Sequence, residues 1–159
     1  MKNKIFLFLI LSVVAVFLND SATAESGSKK IEAGEWNEDY EGTLKEAEKS
    51  GKPIMLDFTG SDWCGWCVKL KKEVFDQQEF KKFSKENLFL VELDFPRGKT
   101  QSSKIKEQNQ KLAQKYEIQG YPALIILNAK GEKIGEMGYV EGGPEPFIAQ
   151  LKTILSSGK

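Results

Sequence analysis

Beyond its first 35 residues the chain alternates between apolar runs a few residues long and longer stretches in which apolar positions recur at helical spacing. Tyr40–Ser50 carries Leu44 and Ala47 among charged residues, and Gly51-Lys52-Pro53 closes it as a surface helix should close. Residues 53–59 (Pro-Ile-Met-Leu-Asp-Phe-Thr) form a mostly apolar run suited to a strand covered on both faces. Gly60-Ser61-Asp62 makes a turn, and Val68, Leu70, Val74 and Phe75 then predict a helix beginning at or just before Cys64. Glu79–Lys85 adds a further helical turn or two, Leu88–Leu93 a buried strand, and Asp94–Thr100, with Pro96 and Gly98, a loop. Gln101–Tyr116 is polar and helix-prone, with Ile105, Leu112 and Tyr116 facing the core. Pro122–Leu127 and Lys133–Tyr139 read as strands joined by a hairpin turn at Asn128–Gly131. Pro144–Leu155 closes the chain as an amphipathic helix through Phe147, Ile148, Leu151 and Leu155. There is no internal repeat, and the alternation predicts an α/β protein whose central mixed sheet carries helices on both faces.

The first residues follow another pattern. Lys2 and Lys4 precede a 14-residue run from Ile5 to Leu18, apolar except for Ser12, and Ala22-Thr23-Ala24 supplies small residues three apart. That arrangement predicts a signal peptide, residues 1–24, cleaved after Ala24. An uncleaved membrane anchor is the alternative, but the run is short of the roughly 20 residues a spanning helix needs. Residues 25–35 then form a polar, mobile lead-in, and 36–159 one domain, since a chain of this size supports one core. The expectation is a monomer, exported to the periplasm or secreted, with no stable membrane insertion after cleavage.

Composition narrows the chemistry. Without residues 1–24 the chain keeps 21 basic and 22 acidic side chains, a formal charge of −1, which gives no general attraction to nucleic acid or acidic lipid. Histidine is absent, so catalysis by Ser/His/Asp or Cys/His pairs is excluded. Covalent haem attachment needs histidine after the second cysteine, where Val68 stands. Two cysteines fall short of the roughly four ligands of a zinc site. No metal and no bound cofactor are expected.

The cysteines are Cys64 and Cys67, in Trp63-Cys64-Gly65-Trp66-Cys67. At a helix start, free N–H groups and the helix dipole favour an anion, and such placement lowers a cysteine pKa from about 8.5 toward roughly 3.5–7.5. Cys64 is therefore the expected nucleophile. Cys67, one turn further in and more buried, resolves the mixed disulfide. An inert structural disulfide is the competing reading, although so short a loop contributes little to stability.

Asp57-Phe58, the Trp63–Cys67 motif and Lys115-Tyr116-Glu117-Ile118-Gln119-Gly120-Tyr121-Pro122, taken in this order, resemble the thioredoxin superfamily, specifically its exported members. The resemblance runs from about Trp36 to Leu155 and implies a thioredoxin-like fold. It implies a thiol:disulfide oxidoreductase acting on exported protein disulfides and dithiols, with electrons entering through an upstream dithiol protein. Pro122 corresponds to the family's cis-proline beside the sulfurs, and Tyr121 would offer its backbone to an extended substrate. Trp63 would flank the substrate groove. Trp66 stands where thioredoxin carries proline, either enlarging the apolar substrate patch or packing on the outer helix face. Asp57 matches the buried carboxylate that helps deprotonate the second cysteine through water. The chain has one more residue than thioredoxin between that position and the first cysteine, which leaves two readings open: an inward Asp57, or a solvated strand-end residue. No histidine between the cysteines destabilises the disulfide, which slightly favours reductase over oxidase or isomerase. A non-catalytic thioredoxin-like binding module for peptide or protein partners is the alternative outside this class.

Overall fold

The computed structural model describes residues 30–158; the expected signal peptide and the first part of the lead-in lie outside the described residues. Five strands form one sheet: β1 (Trp36–Asn37), β2 (Ile54–Thr59), β3 (Phe89–Asp94), β4 (Ala123–Leu127) and β5 (Lys133–Met137), in the order β1-β3-β2-β4-β5. The pairs β1/β3 and β2/β3 are parallel, whereas β2/β4 and β4/β5 are antiparallel. The helices are α1 (Tyr40–Ser50), α2 (Gly65–Leu70), α3 (Gln78–Asn87), α4 (Ser103–Lys115) and α5 (Pro144–Ser157). A π-helical turn, Lys71–Phe75, continues α2.

Strand alternation divides the core in two. Met55, Leu90, Leu124 and Ile126 point to one face, where they meet Leu70, Val74, Phe75, Phe80, Phe147 and Leu151 from α2, the π turn, α3 and α5. The opposite parity, including Ile54, Leu56, Phe58, Val91 and Ile125, meets Tyr40, Ala47 and Leu112 from α1 and α4. Both faces of the central strands are thus removed from water, which is why β2 reads as an almost unbroken apolar run. Helix ends follow local chemistry. Asp39 caps α1 by accepting the Gly42 N–H at 3.1 Å, and Gly51 ends it in the left-handed region at φ 72°.

Three observations go beyond the reading of the chain. β1 is too short to carry any periodicity and exists through its partner, with Asn37 Nδ2 donating to Leu90 O at 2.9 Å. Just ahead of it Ile31 and Ala33 pack against the α1/α4 core, and the Gly34 N–H donates to Leu88 O at 2.9 Å. On α4, Leu112 and Tyr116 contribute to the core but Ile105 stays only half-buried and outside it. Asn109 is buried instead, because its Nδ2 satisfies Asp94 O, at 2.9 Å, where the chain leaves β3. Among the described residues no helix is long and apolar enough to cross a membrane.

Candidate active site

β2 delivers the chain into the cysteine loop. Gly60 O accepts the Cys64 N–H at 2.9 Å, and Cys64 is the N-cap of α2, with extended backbone at φ −87° and ψ 102°. Its sulfur accepts the Cys67 N–H at 3.2 Å, one of the helix-start donors that has no partner inside the helix. Cys64 and Cys67 form a disulfide with a Cα–Cα distance of 5.2 Å. Exposure hardly separates the two sulfurs, Cys64 being 6% and Cys67 4% accessible. Their surroundings separate them: Cys64 occupies the helix start beside exposed tryptophans, and Cys67 lines a cavity behind it.

On the outer side, Trp63 is held from three directions. Its indole N–H donates to Phe95 O at 2.8 Å, its ring meets Tyr121 edge-on at 5.7 Å, and the Arg97 guanidinium lies 4.0 Å over it. Gly60 is required here, because a Cβ at that position would fall 2.5 Å from Trp63 Cε2. Trp66, 58% exposed, leans on Tyr139 at 5.3 Å while Lys69 sits 5.1 Å from its ring centre. Trp66 therefore stands at the surface, braced by the segment that follows β5. Tyr121 and Pro122, joined by a cis peptide bond, are half-buried and lead into β4, with the Tyr121 ring against Trp63.

On the inner side, Asp57 points into the protein and is 6% exposed. β2 stays in register with β3 through Thr59, paired with Asp94, so the additional residue is taken up after the strand ends. The Ser61 N–H and hydroxyl both donate to the Asp94 carboxylate, at 2.8 and 2.6 Å. Asp62 accepts the backbone N–H groups of Arg97 and Gly98, which hold its carboxyl below the usual range. The loop before Cys64 is thereby tied to the loop after β3, and Asp57 is left where the strand places it.

Asp57, Thr59, Ser61, Cys67, Val68, Lys71, Phe75, Trp36 and Glu92 line a cavity of about 300 Å³. Asp57 Oδ1 is buried without a protein hydrogen-bond partner. Burial, and then the charges of Glu92 and Asp94, push the Asp57 carboxyl well above the ordinary aspartate range. Glu92 was not among the residues singled out by motif. Its one signal in the sequence is an acidic side chain inside the apolar run Phe89-Leu90-Val91-Glu92-Leu93. Arg97, Asp62 and Tyr139 carry no such signal, since their roles depend on loops meeting in space. Among the described residues no group of three His, Cys, Asp or Glu side chains is arranged to hold a metal ion.

A mixed five-stranded sheet with a cysteine pair capping the helix after its central strand defines a thiol:disulfide oxidoreductase of thioredoxin-like fold. The thioredoxin-like domain model matches residues 40–155, and the chain belongs to that family. It is 36% identical over 118 residues to the disulfide bond reductase DsbH of Chlamydia pneumoniae, covering 74% of this chain and 71% of that one. A second relative from that organism, the thioredoxin-related protein DsbJ, is 30% identical over 135 residues; the match spans 85% of this chain and 37% of that longer protein. A solved structure of a DsbH oxidoreductase superimposes with a TM-score of 0.74 at 35% identity, covering 77% of this chain and 84% of that one.

Proposed function

We propose that this protein is an exported disulfide reductase: reduced Cys64 attacks an accessible disulfide in a protein substrate, and Cys67 then displaces the reduced substrate sulfur. The observation that carries this reading is Cys64 at the helix cap with its sulfur accepting a backbone N–H, a position that stabilises a thiolate. Attack forms a Cys64–substrate disulfide and expels one substrate thiolate. Cys67 closes the Cys64–Cys67 bond, and the second substrate sulfur leaves with its electron pair. A dithiol protein upstream restores the reduced pair, so no bound cofactor is needed. The 36% identical relative is itself named a disulfide bond reductase, and Gly65-Trp66 places no positive charge between the cysteines to destabilise their disulfide. The apolar run from Ile5 to Leu18, broken only by Ser12, supports export.

Substrate recognition is assigned to the surface made by Trp63, Trp66, Tyr121 and Pro122, which offers aromatic faces next to Cys64 for an extended polypeptide. The exposure of Trp66 and Val68 also fits the second reading, a partner-binding module with idle cysteines. Insulin reduction decides between them. The reductase reading expects turnover that vanishes in Cys64→Ser and mixed disulfides that accumulate in Cys67→Ser. Turnover absent from the parent protein, or surviving loss of both cysteines, favours the binding module. Equilibration against glutathione then sets the direction: a potential near about −270 mV matches a reductase, and one near about −120 mV an oxidase.

A further inference from the structure

Asp57 and Glu92 are direct partners in the parallel register of β2 and β3. Side chains at paired positions of adjacent strands project to one face, so both carboxyls lie on the α2 side of the sheet, and both line the cavity that Cys67 enters. A carboxylate beside a second carboxylate is an unfavourable pairing, and neither has an ion-pair partner among the described residues. Asp57 Oδ1 adds a buried acceptor with no protein partner.

We propose that Glu92 is a positioning residue for proton transfer: its carboxylate, side by side with Asp57, keeps on Asp57 the proton that Cys67 takes up when the disulfide opens and gives back when it closes. This rests on the oxidoreductase reading and extends it to a residue outside the cysteine motif. In the opening direction an incoming thiolate bonds to Cys64 Sγ, the Cys64–Cys67 bond breaks, and Cys67 Sγ leaves with the electron pair and accepts the Asp57 proton. In the closing direction Cys67 Sγ–H gives its proton to the Asp57 carboxylate and bonds to Cys64 Sγ. The substrate sulfur departs with its electron pair and is protonated by solvent. A cavity of about 300 Å³ has room for water to carry the proton between Asp57 and Cys67.

The charged groups around Glu92 agree with this order of events. Burial raises its carboxyl, as do Asp94 on its own strand and Glu38 beside β1, while Lys71 from the π turn and Lys99 from the loop after β3 lower it. Asp57 is raised by burial and then by Glu92 and Asp94. The two cations near the pair therefore ease the ionisation of Glu92, and the remaining proton stays on Asp57, the more deeply buried member.

The test is the pH dependence of insulin reduction by the pre-reduced protein, in the parent, Glu92→Gln, Glu92→Asp, Asp57→Asn and the double variant D57N/E92Q. The parent rate rises with pH as Asp57 loses its proton. Removing the neighbouring charge in E92Q moves that limb to lower pH by about one unit, the scale of a like charge on an adjacent strand, and E92D keeps the parental limb. D57N flattens it, and D57N/E92Q matches D57N alone, because Glu92 acts through Asp57. A limb that stays put in E92Q, or a double variant slower than D57N, overturns the proposal. A parent inactive at every pH removes the oxidoreductase reading as well, which an immobile limb in an active protein does not. Carboxyl-carbon NMR of the unsubstituted protein gives a readout independent of any variant's folding: coupled two-step titration of Asp57 and Glu92 is expected, and independent single steps overturn the pair.

Discussion

The two faces of β2 are equally removed from water and differ in what they hold. Towards α1 and α4 the strand presents Ile54, Leu56 and Phe58, sealed under apolar neighbours; towards α2 it presents Met55 and then, nearer the cysteines, Asp57 and Thr59 beside a cavity. The first face gains stability from burying these three apolar side chains. The second gives some of it up by burying a carboxyl next to the carboxyl of Glu92. A single strand thus shows where the fold is held together and where it is kept for chemistry. The polar end is the carboxyl end of the strand, from which the loop to the cysteine helix departs.

The largest expected effect lies on the sealed face. Phe58→Ala removes a fully buried ring that approaches Phe95 and Tyr116 at centroid distances of 6.4 and 6.3 Å, and costs about 3–5 kcal/mol by urea unfolding. Insulin reduction per folded molecule should hold under conditions where the variant is native. Stability lost by less than about 1 kcal/mol breaks the contrast between the faces.

On the polar face the sign reverses. Folding raises the Asp57 carboxyl above its unfolded value, so its contribution to stability is complete below the unfolded aspartate value of about 3.9 and is lost as pH rises through the folded value. Asp57→Asn escapes that loss. It should be more stable than the parent by about 1–3 kcal/mol on the alkaline side of the folded value, with the relative gain shrinking toward pH 4 and below, and it should reduce insulin more slowly. Paired unfolding curves in acid and in mild alkali check this; a variant equally destabilised at both makes Asp57 a packing residue.

The smallest effect on stability belongs to the outer surface. Trp66→Ala should change unfolding by no more than about 0.5 kcal/mol, because most of the side chain is already in water. Its kcat/KM should fall several-fold more for a protein disulfide than for oxidised glutathione. Equal losses on the two substrates would separate Trp66 from polypeptide recognition.

Most elements were legible because they depend on near neighbours in the chain. Gly51 ends α1, the apolar run from Pro122 onward marks β4, and Phe147 and Leu151 mark the inner face of α5. Strand β5 stops at Met137 and not Tyr139, since the ladder to β4 ends there and Tyr139 turns to brace Trp66. The π turn was not legible: the Asp76 N–H reaches Lys71 O at 2.9 Å, five residues back, although Lys71–Phe75 keeps the apolar spacing of an ordinary helix. Residues of the candidate site divide in the same way. Cys64, Cys67, Trp63 and Trp66 stand in one short motif, and Asp57, Tyr121 and Pro122 were reached through resemblance.

The sequence by itself determined that two sulfurs three residues apart share the start of a helix, and that no histidine stands near them, because local spacing and composition settle both. The direction of Asp57, the bracing of Trp63 by Arg97 and of Trp66 by Tyr139, and the pairing of Asp57 with Glu92 were decided only by the tertiary structure. Each depends on strand register or on loops far apart in the chain meeting. A one-residue shift of β3 against β2 would set Asp57 opposite Val91 or Leu93 and turn Glu92 to the other face.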